Sequence, residues 1–189
     1  MNNDYIMEFR NTVEIIVNDK IIEPVRENKL VIKELKENSH NKEIIITNIK
    51  TNCHAFKMDL EPRQIYLFKE TIKVNDELLL VIEQKKIVVY IIELKSKNTD
   101  KAIEQILFGR RYADFLIGII EEKMRYVFPV KEYRGYIFTT KPSDKNTTQG
   151  GKYLKCKRKV NGIYILSFSS NAPHDFRKLS LPIKFVRKK

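Results

Sequence analysis

Cysteine is scarce in this sequence, which has 189 residues but only two cysteines, Cys53 and Cys156. So few thiols cannot form the disulfide framework that is typical of small secreted domains. Cys53, with the adjacent His54, and the distant Cys156 also lack the ligand spacing of a zinc site. The first residues have neither the basic start nor the apolar stretch of a secretory signal. We therefore expect a cytoplasmic (intracellular) protein without a structural zinc.

Long apolar runs are also missing. No stretch approaches the roughly 20 apolar residues that a membrane-spanning helix needs, so we expect no membrane partner. The composition is 42% hydrophobic and 32% charged, which is ordinary for a globular protein and argues against general disorder. A chain of this length can bury a proper core. We expect one domain over residues 1–189.

Acidic residues become rare in the last third of the chain. Residues 1–122 contain 19 basic and 21 acidic residues, a net charge of −2. Residues 123–189 contain 17 basic and 3 acidic residues, a net charge of +14, so this third carries the whole excess behind the formal charge of +12. A basic region beside a neutral one favours a polyanionic partner such as nucleic acid. The alternative is a solvated surface that keeps the protein soluble.

The clearest structural pattern lies at residues 74–95. Two apolar runs, 78–82 and 87–94, flank a polar break at 83–86, which predicts two strands joined by a hairpin turn. The second run shows no polar alternation until its end, as is typical of a strand covered on both faces. Glu93 and Lys95 close that run. Because they are two residues apart on a strand, their side chains point the same way.

The hairpin brings a second carboxylate to the same face. If the loop is residues 84–85, Asp76 lies opposite Glu93, and if it is residues 85–86, Asp76 lies opposite Lys95. Directly opposed residues share a face, so either register adds Asp76 to the pair. A three-residue loop would instead place Glu77 opposite Glu93. Two-residue loops are commoner, so Asp76 is our prediction and Glu77 the alternative.

Two neighbouring carboxylates and a lysine suit one kind of chemistry. Close carboxylates raise each other's proton affinity unless a cation lies between them. Mg²⁺ typically takes one or two protein carboxylates together with waters and phosphate oxygens, and it activates water and neutralises charge on a phosphate. A lysine adds positive charge to the transition state. The pattern therefore predicts metal-dependent hydrolysis of a phosphodiester.

Asp76 followed by Glu93-Leu94-Lys95 resembles the signature of the PD-(D/E)XK nuclease superfamily, over roughly residues 70–120. Asn75 stands where the superfamily name has proline. The resemblance implies an α/β fold whose mixed central sheet is flanked by helices, as in the restriction endonucleases. It also implies that Asp76 and Glu93 bind Mg²⁺, for which Mn²⁺ can substitute. The Leu94 carbonyl would add a ligand, and Lys95 would assist the attacking water.

The segment after the motif predicts a helix from about residue 100 to Ala113, followed by a buried strand at residues 115–120. One branch of the superfamily carries a Gln and a Tyr four residues apart on this helix, facing the metal. Gln105 matches the first, but Gly109 stands at the second position, and Tyr112 is the nearest tyrosine on the same face. The resemblance implies that Gln105 supports the site and makes Tyr112 a weaker candidate.

The superfamily often places a further acidic residue near the metal, commonly on a first helix. Glu8 and Glu14 are candidates, because residues 4–17 have helical spacing, although residues 13–17 alone would suit a strand. Glu61 and Glu70 are candidates in the stretch before the motif. The sequence does not select among the four.

Strands are predicted at residues 30–35, 43–49 and 54–58, and again in the last third at residues 125–130 and 136–140. We expect residues 123–189 to form a β-rich basic extension. Its strongest turn signal is Asn161-Gly162, typical of a type I′ hairpin.

This hairpin register places five residues on an apolar face, namely Leu154, Cys156, Val160, Ile163 and Ile165. The other face interleaves lysines with aromatic rings, namely Lys155, Lys157, Lys159, Tyr164 and Phe168. Such a face suits phosphate contacts and base stacking, and a solvated face is an equal alternative. Arg110 and Arg111 on the predicted helix are further candidates for phosphate contact.

These patterns together predict a metal-dependent nuclease that hydrolyses DNA, more specifically an endonuclease. The sequence leaves RNA open as a substrate. A homodimer is an expectation, since cutting both strands of a duplex usually needs two sites. The alternatives are a nucleic-acid-binding module with an idle nuclease-like site, and a subunit whose basic face meets an acidic protein partner.

Overall fold

The computed structural model describes residues 3–19, 21–33, 43–50, 52–58, 75–83, 86–95, 100–140, 148–149 and 152–186. Three helices are present in these ranges: α1 (Asn3–Ile16), α2 (Asp100–Met124) and α3 (Phe176–Leu179). The largest sheet has seven strands in the spatial order β1 (Ile22–Glu23), β4 (Cys53–Lys57), β5 (Glu77–Glu83), β6 (Lys86–Lys95), β7 (Val130–Thr139), β11 (Ile163–Ser169) and β10 (Arg158–Val160).

Two smaller sheets have three strands each. One has the order β12 (His174–Asp175), β3 (Glu43–Thr47) and β2 (Leu30–Lys33). The other has the order β13 (Ile183–Phe185), β9 (Tyr153–Cys156) and β8 (Thr148–Gln149).

The large sheet is mixed. β7 runs parallel to both of its neighbours, β6 and β11, whereas the other pairs in this sheet are antiparallel. The predicted mixed α/β class is therefore confirmed. β7, β11 and β10 supply three of the seven strands, so the basic last third of the chain is built into the sheet and is not appended to it.

The two faces of the large sheet bury different partners. We call the first the helix face: Leu78, Ile91 and Ile137 pack there with Val13 of α1 and Ile106 of α2. We call the second the strand face, where alternate residues of the same strands pack with the smaller sheets and α3, namely Leu79, Tyr90, Phe138, Ile46, Leu154 and Phe176. Because both faces are covered, the central strands need apolar side chains at nearly every position, which explains the continuous runs in β5 and β6.

Most predicted elements occur where the pattern placed them. The predicted strands at 30–35, 43–49 and 54–58 correspond to β2, β3 and β4. The ambiguous N-terminal segment is helical, with Phe9 and Val13 buried on one side of α1. The Asn161-Gly162 turn joins β10 to β11, and Asn161 and Gly162 have φ of 47° and 83°, as a type I′ turn requires.

The predicted end of α2 and the strand at residues 115–120 are wrong. α2 continues through 25 residues to Met124. Its buried side follows helical spacing through Ala113, Ile117 and Ile120, whereas Phe115 is 66% exposed. The apolar run 115–120 combines this buried side with exposed apolar residues, so an apolar run alone could not distinguish a helix from a buried strand.

The predicted strand at residues 125–130 is also wrong. Arg125 has φ of 52° directly after α2, and β7 begins only at Val130, after Pro129. A proline has no N–H to donate to a neighbouring strand, which suits the position before the strand rather than its interior. Residues 136–140 fall almost entirely within β7, as predicted. No helix in the described ranges is long and apolar enough to cross a membrane.

Candidate functional site

The β5–β6 hairpin has the register that places Asp76 opposite Glu93. Glu83 pairs with Lys86 and Glu77 with Ile92, as a two-residue loop at 84–85 requires. The pairing extends past the end of β5, because the Asp76 backbone N–H donates to the Ile92 carbonyl at 3.1 Å. The hairpin therefore brings Asp76 to the carboxyl end of β6, and the predicted register is confirmed.

Glu93 and Lys95 lie on the helix face, as the alternation along β6 from Ile91 dictates. Glu93 is 1% exposed, and its Oε1 forms an ion pair with the Lys95 ammonium. Lys95 Nζ also donates a hydrogen bond to Gln105 Oε1 of α2 at 2.5 Å. Gln105 is itself buried. One lysine thus links the end of the central strand to the first turns of the helix.

Asp76 is tied to the same strand end through the backbone. Its Oδ2 accepts a hydrogen bond from the Leu94 N–H at 2.5 Å. That N–H belongs to the peptide that joins Glu93 to Leu94, so the Asp76 carboxylate lies directly beside Glu93. Asp76 is 7% exposed. We call Asp76, Glu93, Lys95 and Gln105 the acid–lysine cluster.

Glu77, the alternative to Asp76, lies on the strand face, because Leu78 beside it faces the helices. It is 2% exposed, and its Oε1 has no hydrogen-bond partner within the described ranges. Burial, with the Glu23 carboxylate nearby, raises the pKa of Glu77 well above its usual value, and the Lys57 ammonium offsets only part of this. Glu77 therefore does not join the acid–lysine cluster.

Asn75 and Gly109 occupy the two positions at which the sequence departs from the superfamily pattern, and they are in close contact. Asn75 is fully buried and donates from Nδ2 to the Glu77 carbonyl at 2.6 Å. A Cβ added to Gly109 would overlap Asn75 Oδ1 and would lie 2.7 Å from Ile91 Cγ2. The missing side chain at position 109 therefore lets α2 approach Asn75 and β6 closely.

Two of the four candidates for a further acidic ligand, Glu8 and Glu14, lie in the described part of the chain. Glu8 is exposed, and Glu14 forms an exposed ion pair with Arg10 at 3.0 Å on α1. Glu61 and Glu70 lie outside the described residues. The parts of the chain that the structure describes hold no group of three or more His, Cys, Asp or Glu side chains able to bind a metal. Among the described residues, Asp76 and Glu93 are the two carboxylates that meet at this strand end.

Tyr112 and Arg110 have structural contacts with residues other than those of the cluster. Tyr112 packs against the helix-face core, and burial raises its pKa. The Arg110 guanidinium donates to the Asn161 carbonyl, lies 3.6 Å from Asp114 and sits 4.6 Å from the centre of the Tyr133 ring. These contacts dock the C-terminal hairpin turn onto α2. Arg111 is exposed.

The predicted faces of the C-terminal hairpin are wrong in part. Val160, Ile163 and Ile165 pack on the helix face, but Leu154 and Cys156 pack on the strand face. The reason is that β9 leaves the hairpin and joins β13 and β8 in a separate sheet. The predicted faces assumed that the hairpin register continues through Lys157. Leu154 and Cys156 of β9 were therefore assigned to the wrong face.

Of the lysines predicted for this hairpin, Lys159 lies on the face of the large sheet opposite the acid–lysine cluster. Lys157 and Lys159 are exposed and Lys155 is half-buried. Lys159 Nζ lies 4.5 Å from the centre of the Tyr164 ring, which packs against the strand-face core. Glu93 and Lys95 are on the opposite face of the same sheet. The sequence did not predict this separation, because which face a strand presents depends on its long-range pairing.

Thr139 is a site neighbour that the sequence did not single out. It is fully buried and pairs with Lys95 across the parallel β6–β7 ladder. Directly paired residues share a face, so the Thr139 side chain lies on the same face of the sheet as Lys95. The pairing joins residues 44 positions apart through the α2 crossover, and no local pattern signals it.

No family model, curated protein or solved structure matches this chain.

Proposed function

We propose that this protein is a metal-dependent nuclease that hydrolyses phosphodiester bonds of DNA, with the acid–lysine cluster as its active site. The observation that carries the proposal is the meeting of Asp76, Glu93 and Lys95 at one strand end. Asp76 accepts the Leu94 N–H, and Glu93 pairs with Lys95. These residues come from two strands and are supported by Gln105 from a helix. Their arrangement favours a restriction-endonuclease-like core.

The donor chemistry fits Mg²⁺ or Mn²⁺. Two carboxylates meet where burial would make an uncompensated pair of negative charges costly. Hard divalent cations prefer oxygen ligands, and Mg²⁺ usually needs only one or two carboxylates because waters and phosphate oxygens complete its shell. Asp76 and Glu93 would hold the metal, with the Leu94 carbonyl as a further oxygen ligand. When bound, the metal lowers the pKa of a coordinated water and neutralises charge on the phosphate.

Lys95 has two roles in this proposal. Its ammonium supplies positive charge at the point where negative charge develops during attack on phosphorus. It also orients the water that attacks. Gln105 holds the Lys95 ammonium in place through the 2.5 Å hydrogen bond. Lys95 is therefore a catalytic residue, and Gln105 is a positioning residue that acts through it.

The charge distribution suits a nucleic-acid substrate. The whole excess behind the formal charge of +12 lies in residues 123–189, which supply β7, β10 and β11 of the sheet that carries the cluster. A positive field of this kind raises the rate of encounter with a polyanion. It does not distinguish DNA from RNA, and DNA is the substrate we propose.

One observation favours a second function, an idle nuclease-like module that binds nucleic acid without cutting it. The Lys95 ammonium already pairs with Glu93, and a lysine can neutralise a buried carboxylate in place of a metal. The two functions differ in whether cleavage occurs, so an activity assay separates them.

The test is cleavage of plasmid DNA with and without Mg²⁺. We expect Glu93→Ala, and Glu93→Gln, which preserves the shape, to lower Mg²⁺-dependent cleavage about 10³-fold or more while the fold and DNA binding are retained. Glu83→Ala at the opposite end of the same hairpin is the matched control and should cleave normally. DNA binding without cleavage by the unmodified protein would support the idle module, and unchanged cleavage by both Glu93 variants would contradict the proposed mechanism.

A further inference from the structure

A second polar site lies on the other side of the hairpin from α2. It is a cleft of about 560 Å³ between the outer strands of the large sheet and β2. Lys57 and Glu77 line it from β4 and β5, Lys33 lines it from β2, and Arg26 and Lys29 line it from the connection between β1 and β2. Its volume is within the range of about 300–1,000 Å³ that is usual for small-molecule sites. We call it the Glu77 cleft.

Glu77 is the unusual group in this cleft. Its carboxyl is 2% exposed, yet Oε1 meets no hydrogen-bond donor among the residues that the structure describes. Nearly all buried polar atoms in folded proteins have a partner, and leaving one without a partner costs roughly 1–3 kcal/mol. Glu77 thus lines the cleft with a carboxyl whose Oε1 is shielded from water and lacks a donor in the described residues, so it is suited to accept a hydrogen bond from a ligand that packs there.

The rest of the lining suits a ligand with several kinds of group. Arg26, Lys29 and Lys33 are exposed cations at the rim. Glu23 and Glu27 also line the cleft, so its lining is not uniformly positive. Pro24 and Val31 contribute apolar surface. A nucleotide combines the matching groups, since it has an anionic phosphate, a flat base with apolar faces and, in three of the four DNA bases, an exocyclic amino group.

Asp76 connects the Glu77 cleft to the acid–lysine cluster. It lines the cleft and also accepts the Leu94 N–H beside Glu93. The cleft and the cluster therefore adjoin at Asp76. We infer that the Glu77 cleft binds one nucleotide of the substrate strand, with Glu77 accepting a hydrogen bond from an exocyclic amino group and the three rim cations contacting phosphate. The identity of the strand as substrate rests on the proposed function.

Binding in EDTA tests this inference without cleavage. The probes are labelled oligodeoxycytidylate and oligothymidylate, because cytosine carries an exocyclic amino group and thymine does not. We expect the protein to bind the cytosine strand about tenfold more tightly, as expected for one hydrogen bond to a buried carboxyl. Glu77→Leu should abolish the preference and leave affinity for oligothymidylate unchanged.

Three comparisons sharpen the experiment. Glu77→Gln keeps a carbonyl acceptor and should keep the preference, whereas Glu83→Leu, on the same strand but outside the cleft, should change nothing. Replacing Arg26, Lys29 and Lys33 together with Gln should weaken both strands equally. Because Glu77→Leu removes a buried carboxyl, it should not impair folding. Circular dichroism of each variant checks this.

The outcomes separate this inference from the proposed function. Equal affinity for the two strands, or a preference that survives Glu77→Leu, overturns the cleft as a base site. Binding of dCMP as tight as that of the oligonucleotide overturns the assignment to a strand. A protein that discriminates in EDTA but never cleaves in Mg²⁺ supports the cleft and contradicts the nuclease.

Discussion

The acid–lysine cluster and the basic C-terminal hairpin are the two regions that the sequence indicates for function, and their structures differ. In the cluster, Asp76 and Glu93 are almost fully buried, and Lys95 is held by both Glu93 and Gln105. In the hairpin, Lys157 and Lys159 are exposed, and the contact that holds Lys159 is the Tyr164 ring beside it. The Lys159–Tyr164 pair lies on the face of the sheet opposite Glu93.

Burial explains why the difference matters. Burying charges costs several kcal/mol unless partners compensate for it, so a buried charged cluster persists only where its members are held together. Exposed lysines are solvated, and each contributes little by itself. A single change in the cluster should therefore have a large and specific effect. A change in the hairpin should have a small and general one.

Lys95→Ala tests the acid–lysine cluster and should have the largest effect. We expect Mg²⁺-dependent cleavage to fall about 10²-fold, because the transition state loses a fixed positive charge, while DNA affinity hardly changes. Single-turnover cleavage and fluorescence anisotropy measure the two quantities on one preparation. Lys159→Ala is the matched control in the hairpin. A parallel loss of affinity and cleavage in Lys95→Ala would show that Lys95 acts as an ordinary phosphate contact.

Gly109→Ala tests the close packing around the cluster. The added Cβ would approach Asn75 Oδ1 and Ile91 within 2.7 Å, so we expect a loss of about 1–3 kcal/mol in the free energy of unfolding. Gly118→Ala on the same helix meets nothing within 4 Å and should stabilise the protein by about 0.5–1 kcal/mol. Urea denaturation measures both.

Gly109→Ala and Gly118→Ala should change the free energy of unfolding in opposite directions only if α2 approaches β6 closely at Gly109. Adding Asn75→Ala to Gly109→Ala removes the nearest obstructing atom and should recover part of the lost stability. Equal stabilisation by both alanines would contradict the placement of α2 against Asn75, and with it the position of Gln105.

Replacing Lys155, Lys157 and Lys159 together with Gln probes the hairpin and should give the smallest effect. If these lysines bind phosphate groups, DNA affinity falls about equally for all sequences. The slope of log affinity against log salt then decreases by roughly 0.9 for each phosphate of duplex DNA that the variant no longer neutralises. The cleavage rate of bound DNA should stay unchanged, because Lys159 lies beside Tyr164 on the face of the sheet opposite Glu93. Unaltered affinity at every salt concentration would show that the hairpin is a solvated face.

The part of the candidate site that the sequence predicted depends on local geometry. Alternation along a strand places Glu93 and Lys95 on one face, and a two-residue loop places Asp76 opposite Glu93, so short-range rules are sufficient. Gln105 lies ten residues after Lys95 on the next helix and was reached through a family resemblance. The structure places its Oε1 2.5 Å from Lys95 Nζ, and its supporting role stays a prediction.

Long-range pairing accounts for what the sequence missed. The run at 115–120 is apolar in both a helix and a buried strand, and only its position over the sheet shows that Phe115 is exposed. The turn at Asn161-Gly162 correctly predicted the β10–β11 pairing, but nothing local signals that β9 joins β13 instead. Thr139 and the Glu77 cleft likewise depend on contacts between segments distant in sequence.

The central claim is that Asp76 and Glu93 hold a divalent metal. Anomalous diffraction from crystals of the protein soaked in Mn²⁺ tests it most directly, because Mn²⁺ replaces Mg²⁺ at oxygen sites and scatters anomalously. The account predicts one strong peak within ligand distance of both carboxylates, about 2.0–2.3 Å from the nearest oxygens, and its absence in Glu93→Gln. Crystals that bind no Mn²⁺ there, with Lys95 still paired to Glu93, would contradict it.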